Sequence, residues 1–475
     1  MRWEPYVPEY YNDKEVVLFS MSDFLAAKKS QVFTNAPAGL TFPGDPGWST
    51  GNSFSHPELN RWAPRLGLVF DPAGNGRATV RASYGILFDG PSNYYANFVS
   101  TGPPWGNLIT NTNLPGGFTN PWQVWPGGNP FPGQLPPPPD APFQPFSTYT
   151  TLLPHLHPPY MQQWNITFQK QIGANWLASA SYLGNKTTHM WLSNNINPSV
   201  YIPGVCGGGA CSTSANTNNR RVLNQIDPVN GGYYGIVLQT FQGANANYNA
   251  MLVSLQHRFS RNYSVLMNYT YSHCINDGDA VGDISNTPNV ENPYNVRQQR
   301  GSCASDRRKI FNSSFIANTP EFSSKLLRAA VTGWQLAPIF TASTGGYSTI
   351  TTGTDTSFTG IGIDMPNLVG PLDATGAYNH WFNTSAVQVN APGTYGNIGR
   401  AVLRQPSIWN IDMSLVRTIP LRENHNVEFR AEAFNLPNHP NWTGGFHTAM
   451  NDPLFGTINS ASDPRILQLS LKYKF

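Results

Sequence analysis

Segments of about ten residues alternate apolar and polar side chains, and the connections between them are alternately short and long; together these features predict an all-β, antiparallel transmembrane barrel wall. Composition points the same way. Of 475 residues only 12% are charged, and 43 Gly with 41 Pro favour turns and irregular connections over helices. The alternation is clearest at the C-terminus. Leu467, Leu469, Leu471, Tyr473 and Phe475 share one face of the last segment, while Gln468, Ser470, Lys472 and Lys474 take the other. Val427, Phe429, Ala431 and Ala433 likewise oppose Glu428, Arg430 and Glu432. Trp409, Ile411, Met413 and Leu415 oppose Asn410, Asp412 and Ser414. A soluble sheet can alternate too, but a strand of about ten residues with one apolar face is what crossing a bilayer requires.

The net charge of +3 is small and evenly spread, which argues against a nucleic-acid partner. Mean hydropathy is −0.34, yet barrel strands turn half their side chains to a wet lumen, so a membrane location stands. No run of 18 apolar residues occurs, so no spanning helix is expected. Behind Met1 comes Arg2-Trp3-Glu4-Pro5 with no apolar stretch of a signal peptide. An exported barrel needs such a signal, so residues 1–475 are expected to be the C-terminal portion of a longer product, without its plug.

Taken in order, the first element is a partial strand from Trp3 to Val7, cut short by Pro5 and Pro8. A hairpin follows from Trp62 to Phe88 around Asp71-Pro-Ala-Gly-Asn-Gly76. The second spans Tyr160 to Gly184 and turns at Gly173-Ala-Asn175. Its inbound strand carries Trp164, Ile166 and Phe168 against an amide ladder of Gln163, Asn165, Gln169 and Gln171. The third spans Asn247 to His273, and the fourth, Arg308 to Ser343, carries Phe311, Phe315, Trp334, Leu336 and Ile339. With the three closing segments the count is about twelve strands. Short connections fall near 71–76, 173–175, 260–262, 319–332 and 419–425, long ones near 89–159, 185–246, 274–307, 345–407 and 437–463. Short turns in outer-membrane barrels are periplasmic and long loops extracellular, so Phe475 is expected at the periplasmic end. The first strand is too short to span, and an unpaired edge in lipid is not tolerated, so the wall is expected to be part of a larger barrel.

Cys206 and Cys211 bracket Gly-Gly-Gly-Ala, and Cys274 and Cys303 lie within one long connection. Two loop-confined pairs suit disulfides in an oxidising exterior; a metal site is the competing reading, but the spacings match no zinc pattern. Glu428, Arg430 and Glu432 are candidate lumen-facing residues, either contacting a plug or polar substrate or forming an ion-pair ladder in a wet interior. Trp105, Trp122 and Trp125, in a Pro-rich loop, are candidates for stacking on flat ligands, or they pack the loop against itself. Asp277, Asp279 and Asp283 do not have EF-hand spacing, and a solvated loop suits them better than calcium. His155 and His157 lack a third ligand nearby. No nucleophile elbow or cofactor motif is present, so neither catalysis nor a cofactor is expected.

Several stretches resemble the Oar-like TonB-dependent outer-membrane receptors, which carry a carboxypeptidase-regulatory-like domain. They include Pro64-Arg-Leu-Gly-Leu-Val-Phe-Asp-Pro72, Arg81-Ala-Ser-Tyr-Gly-Ile-Leu-Phe-Asp89, Pro159-Tyr-Met-Gln-Gln-Trp-Asn165 and Ala180-Ser-Tyr-Leu-Gly-Asn-Lys186. Further on come Tyr248-Asn-Ala250, Ser305-Asp-Arg-Arg308, Gly396-Asn-Ile-Gly-Arg400 and Phe429-Arg-Ala-Glu-Ala-Phe-Asn-Leu-Pro-Asn-His-Pro440. The resemblance implies a barrel of about 22 strands filled by a plug. It also implies the outer membrane as location, TonB as partner through the plug region, and energised uptake of a bulky nutrient such as an oligosaccharide or chelate. A self-contained passive pore is the alternative, and a surface β-rich binding protein a third reading.

Overall fold

The computed structural model describes residues 1–90, 99–106, 115–123, 128–129, 135–260, 262–279, 290–362, 364–423 and 425–475. Its centre is a wall of long strands: β1 (Arg65–Phe70), β2 (Ala78–Phe88), β3 (Tyr160–Ile172), β4 (Trp176–Asn195), β5 (Tyr234–Ser260) and β6 (Tyr263–Asn276). It continues with β7 (Lys309–Asn318), β8 (Trp334–Ser343), β9 (Ile408–Arg422), β10 (His425–Phe434) and β11 (Ile466–Lys474). Each pairs antiparallel with its chain neighbours. Two short strands off this path, Ser147–Thr151 and Gly301–Ser302, bring the sheet to thirteen. The sheet is open: β1 and β11 have one neighbour each among the described residues.

Pairing register tests the face assignment, because residues directly opposite across an antiparallel pair share a face. One row runs Leu68, Ala82, Ile166, Tyr182, Met251, Tyr271 across six strands. Another runs Leu336, Leu415, Ala431, Leu469. On the opposite face run Asn268, Asn312, Thr341, Asn410 and Ser414, Glu432, Gln468. The apolar face is bare of protein: Leu467, Leu469 and Leu471 are 68%, 72% and 75% exposed. Beside the short turns this face carries Trp176, His257 and Tyr263, with successive ring centroids 4.6 and 4.3 Å apart, as the aromatic girdle of a barrel requires. Gly184 belongs to the same face, where a Cβ would lie 2.4 Å from the Trp164 indole nitrogen; glycine lets the ring lie across the strand.

Four expectations are corrected. The wall path has eleven strands rather than about twelve, because Arg2–Trp3 pairs with Trp62–Ala63 in a separate two-stranded sheet. The connection expected at 185–246 is shorter, because β4 runs to Asn195 and β5 begins at Tyr234. Those extra lengths pair with each other through bulges between Phe241 and Ala246. Ile339 lies on the face opposite Trp334 and Leu336, across from Asp412. Finally, the long connections are not irregular throughout: their described residues, with residues 1–63, build caps with cores of their own.

One core gathers Phe19, Phe24, Phe33, Phe42, Trp105 and Tyr149 around Tyr234, at the far end of β5. Tyr234 is sealed in by T-shaped contacts to Phe19 and Phe24, and its hydroxyl donates to the Ala38 carbonyl at 2.5 Å. The other core joins Ile350, Met365, Trp381, Phe382 and Leu403 to Ile458, uniting the loops 344–407 and 435–465. Both caps stand on the side away from the short turns.

Candidate functional site

The polar face of the wall is the surface that could meet a solute. Strands β1 to β6 contain no Asp or Glu at all, whereas Arg81 and Arg258 have lumen-facing parity there. The wall carboxylates are Asp412, Glu428 and Glu432, on the neighbouring strands β9 and β10. The inner surface is therefore electrically lopsided, with its acidic groups near one edge.

Glu428, Arg430 and Glu432 form a closed ladder. Arg430 donates to Glu432 at 3.2 Å and to Glu428 at 3.3 Å, and Lys474 reaches Glu428 at 2.5 Å. Ser414 donates to Glu432 at 3.4 Å. Partly exposed pairs of this kind contribute little stability each, but they neutralise the stripe. Above them Asp412 accepts from the Asn410 amide at 2.7 Å and from the Asn435 backbone at 2.9 Å. A recess of about 490 Å³ opens here under the 435–465 cap, lined by Asn312, Thr341, Asn410, Asp412 and Phe434. The buried Asn410 Oδ1 has no hydrogen-bond partner among the described residues. This mixture of amide, hydroxyl and apolar groups can bind a polar solute. Nothing in it resembles a nucleophile–base pair.

At the root of the 274–307 loop, Asp306 is fully buried and accepts from Arg308 at 3.1 Å, His273 at 3.0 Å and the Cys274 backbone at 3.0 Å. The Cys274–Cys303 disulfide lies beside it, and Cys206–Cys211 closes a small hairpin at Gly207-Gly208. Asp277 accepts from Arg300 at 2.7 Å, and Asp279 from Asn276 at 2.8 Å, from the Ala304 backbone at 3.0 Å and from Arg400. These two aspartates are engaged by arginine guanidinium groups and backbone; Asp283 lies outside the described residues. Among the described residues no group of three His, Cys, Asp or Glu is placed to hold a metal. His157 binds Glu58 at 2.6 Å and His155 stacks on His56, both inside the first cap.

The tryptophan expectation is corrected in part. Trp105 is 9% exposed, packed 5.5 Å from Phe33 and 5.6 Å from Phe42 by ring centroids, and so holds the cap together instead of facing a ligand. Trp122 is half-buried, and Trp125 lies outside the described residues.

Sequence reasoning missed the acid pair inside the second cap. Glu291 is wholly buried, accepts from the Met365 backbone at 2.7 Å through one oxygen, and has no partner for the other among the described residues. Burial pushes its pKa up to about 7. Asp364, also buried, is shifted upward by the same cause although Ser357 and Thr356 donate to it. No spacing marks this pair. It becomes visible only when the loops fold.

The family model described as an outer membrane beta barrel domain matches residues 1–468. No curated protein matches the chain. Among solved structures, the outer membrane transporter YddB from Escherichia coli is 11% identical with a TM-score of 0.45, covering 87% of this chain and 40% of that one. The siderophore receptor PirA from Acinetobacter baumannii is 12% identical with a TM-score of 0.41, covering 89% and 42%. A mutant of the ferric enterobactin receptor PfeA from Pseudomonas aeruginosa is 11% identical with a TM-score of 0.42, covering 87% and 40%. The chain thus spans about two fifths of the length of these structures.

Proposed function

Because this chain belongs to the outer membrane beta barrel domain family and resides in the outer membrane, we propose that it forms the later part of a TonB-dependent receptor barrel of the Oar-like type, taking up a bulky nutrient. The observation that carries the reading is strand direction. β1 runs toward the short turn at 71–76, and β11 runs the same way to the periplasmic terminus. Two edges that run parallel cannot close on each other in an antiparallel barrel, and eleven is an odd number where bacterial barrels use even ones. Closure therefore calls for at least one further strand, and a lumen of receptor size calls for many. The neutral ladder and amide-rich lumen suit transport, and TonB would be the partner that energises it.

The competing reading is a small self-contained pore, and folding separates the two. Expressed alone, residues 1–475 are expected to give no heat-modifiable monomer in outer-membrane fractions. With further barrel strands supplied to complete the wall, they are expected to give one. A compact, heat-modifiable monomer of the isolated 52.3 kDa chain would overturn the receptor reading in favour of the pore.

A further inference from the structure

The turn between β7 and β8 is longer than the other periplasmic turns and contains a helix, Lys325–Val331. In that helix Leu326 is 82% and Leu327 48% exposed, an arrangement that a turn facing water would not need. Hydrogen bonding shows on which side of the wall it lies. Trp334, on the lipid-facing side in register with Arg417, donates from its indole nitrogen to the Ala330 carbonyl at 3.0 Å. The Arg417 guanidinium sits over that indole, 5.2 Å from the ring centroid. The helix is thus tied, through Ala330 and Trp334, to the apolar face at its periplasmic rim, and it carries two exposed leucines there. Lys325 and Arg328, three residues apart, fall on neighbouring turns of one face. Arg328 donates its Nε to the Phe322 carbonyl, and neither cation joins an ion pair with a described carboxylate.

We propose that this turn is an interfacial anchor: Leu326 and Leu327 enter the acyl region of the inner leaflet, and Lys325 and Arg328 hold the phosphate of an anionic phospholipid headgroup. Leucines beside paired cations at the level of an aromatic girdle are the pattern of a helix lying in the interface plane. A dicationic edge favours a headgroup with net negative charge over a zwitterionic one. The apolar continuity with the wall favours a lipid over a soluble anion, since free phosphate has no use for the leucines.

Native mass spectrometry of the full product carrying this chain, released from micelles containing phosphatidylglycerol or phosphatidylcholine, tests the proposal. Wild type is expected to retain phosphatidylglycerol in preference to phosphatidylcholine. The K325Q/R328Q variant, whose changes lie outside the wall strands, is expected to retain it roughly tenfold less. L326S/L327S, which keeps both charges, is expected to lose retention as well while the protein stays heat-modifiable. Equal retention of both lipids by wild type, or unchanged retention in K325Q/R328Q, overturns the assignment. Displacement of the lipid by millimolar inorganic phosphate would identify a plain oxyanion site and overturn the headgroup.

Discussion

At the scale of residues, Leu469 and Ser470 are neighbours in sequence that belong to different solvents. Ser470 stands opposite Arg430 on the lumen face, while Leu469 stands opposite Ala431 and is 72% exposed to what the membrane supplies. A lysine at a lipid-facing midplane site costs about 2–4 kcal/mol, and one in a watery lumen much less. In the membrane-inserted protein Leu469→Lys is therefore expected to lower the yield of heat-modifiable protein sharply, with Ser470→Lys close to wild type. Glu291 supplies a pH dependence. Its folded-state pKa is raised from 4.5 to about 7, so between those values the native cap binds the proton that the unfolded chain has released. Stability contributed at acid pH is then lost as pH rises through that window. Limited proteolysis of the 344–407 region is expected to quicken between about pH 5 and pH 8 in wild type, and Glu291→Gln is expected to flatten that profile.

At the scale of elements, the loop 274–307 is secured at its root by one carboxylate. Asp306 receives a guanidinium, an imidazole and a backbone N–H, all beside the Cys274–Cys303 bridge. Removing it leaves those donors facing a void of low polarity. Asp306→Ala is expected to cost about 3 kcal/mol, observed as faster protease cleavage within 274–307 while β6 and β7 stay protected. Non-reduced peptide mapping of protein from the native envelope is expected to find Cys206 joined to Cys211 and Cys274 joined to Cys303. Free thiols at all four positions would refute both bridges.

At the scale of the whole molecule, what was legible in the sequence divides along the membrane surface. Inside the bilayer only two environments exist, and they alternate with the strand period, so Leu467 to Lys474 announce their faces without any knowledge of their neighbours. Hairpin positions followed from the same rule, and the expected sidedness from the alternation of short and long connections. Outside the bilayer no such period operates. Trp105 suited a ligand platform as well as a core, and its choice was made by Phe33 and Phe42, far upstream in the chain. Glu291 and Asp364 meet only because two separate loops fold together. Ser305-Asp-Arg-Arg308 and Arg400 stood out in the sequence without a stated role, and both proved to anchor the base of one loop.

The unusual length of β5 has a consequence for what surrounds a bacterium. Its 27 residues measure about 90 Å at roughly 3.3 Å each, several times the apolar band of an outer membrane. Together with β4 it makes a mast, braced by the bulges near Ala244 and by Met190 and Leu192, that lifts the first cap above the lipid into the layer of surface sugars. The segment joining the far ends of these two strands carries the disulfide-closed hairpin Val205–Ala210, exposed at every position. An epitope inserted between Gly207 and Gly208 is accordingly expected to bind antibody on intact cells, whereas one placed in the turn at Gly74 would need the envelope opened first.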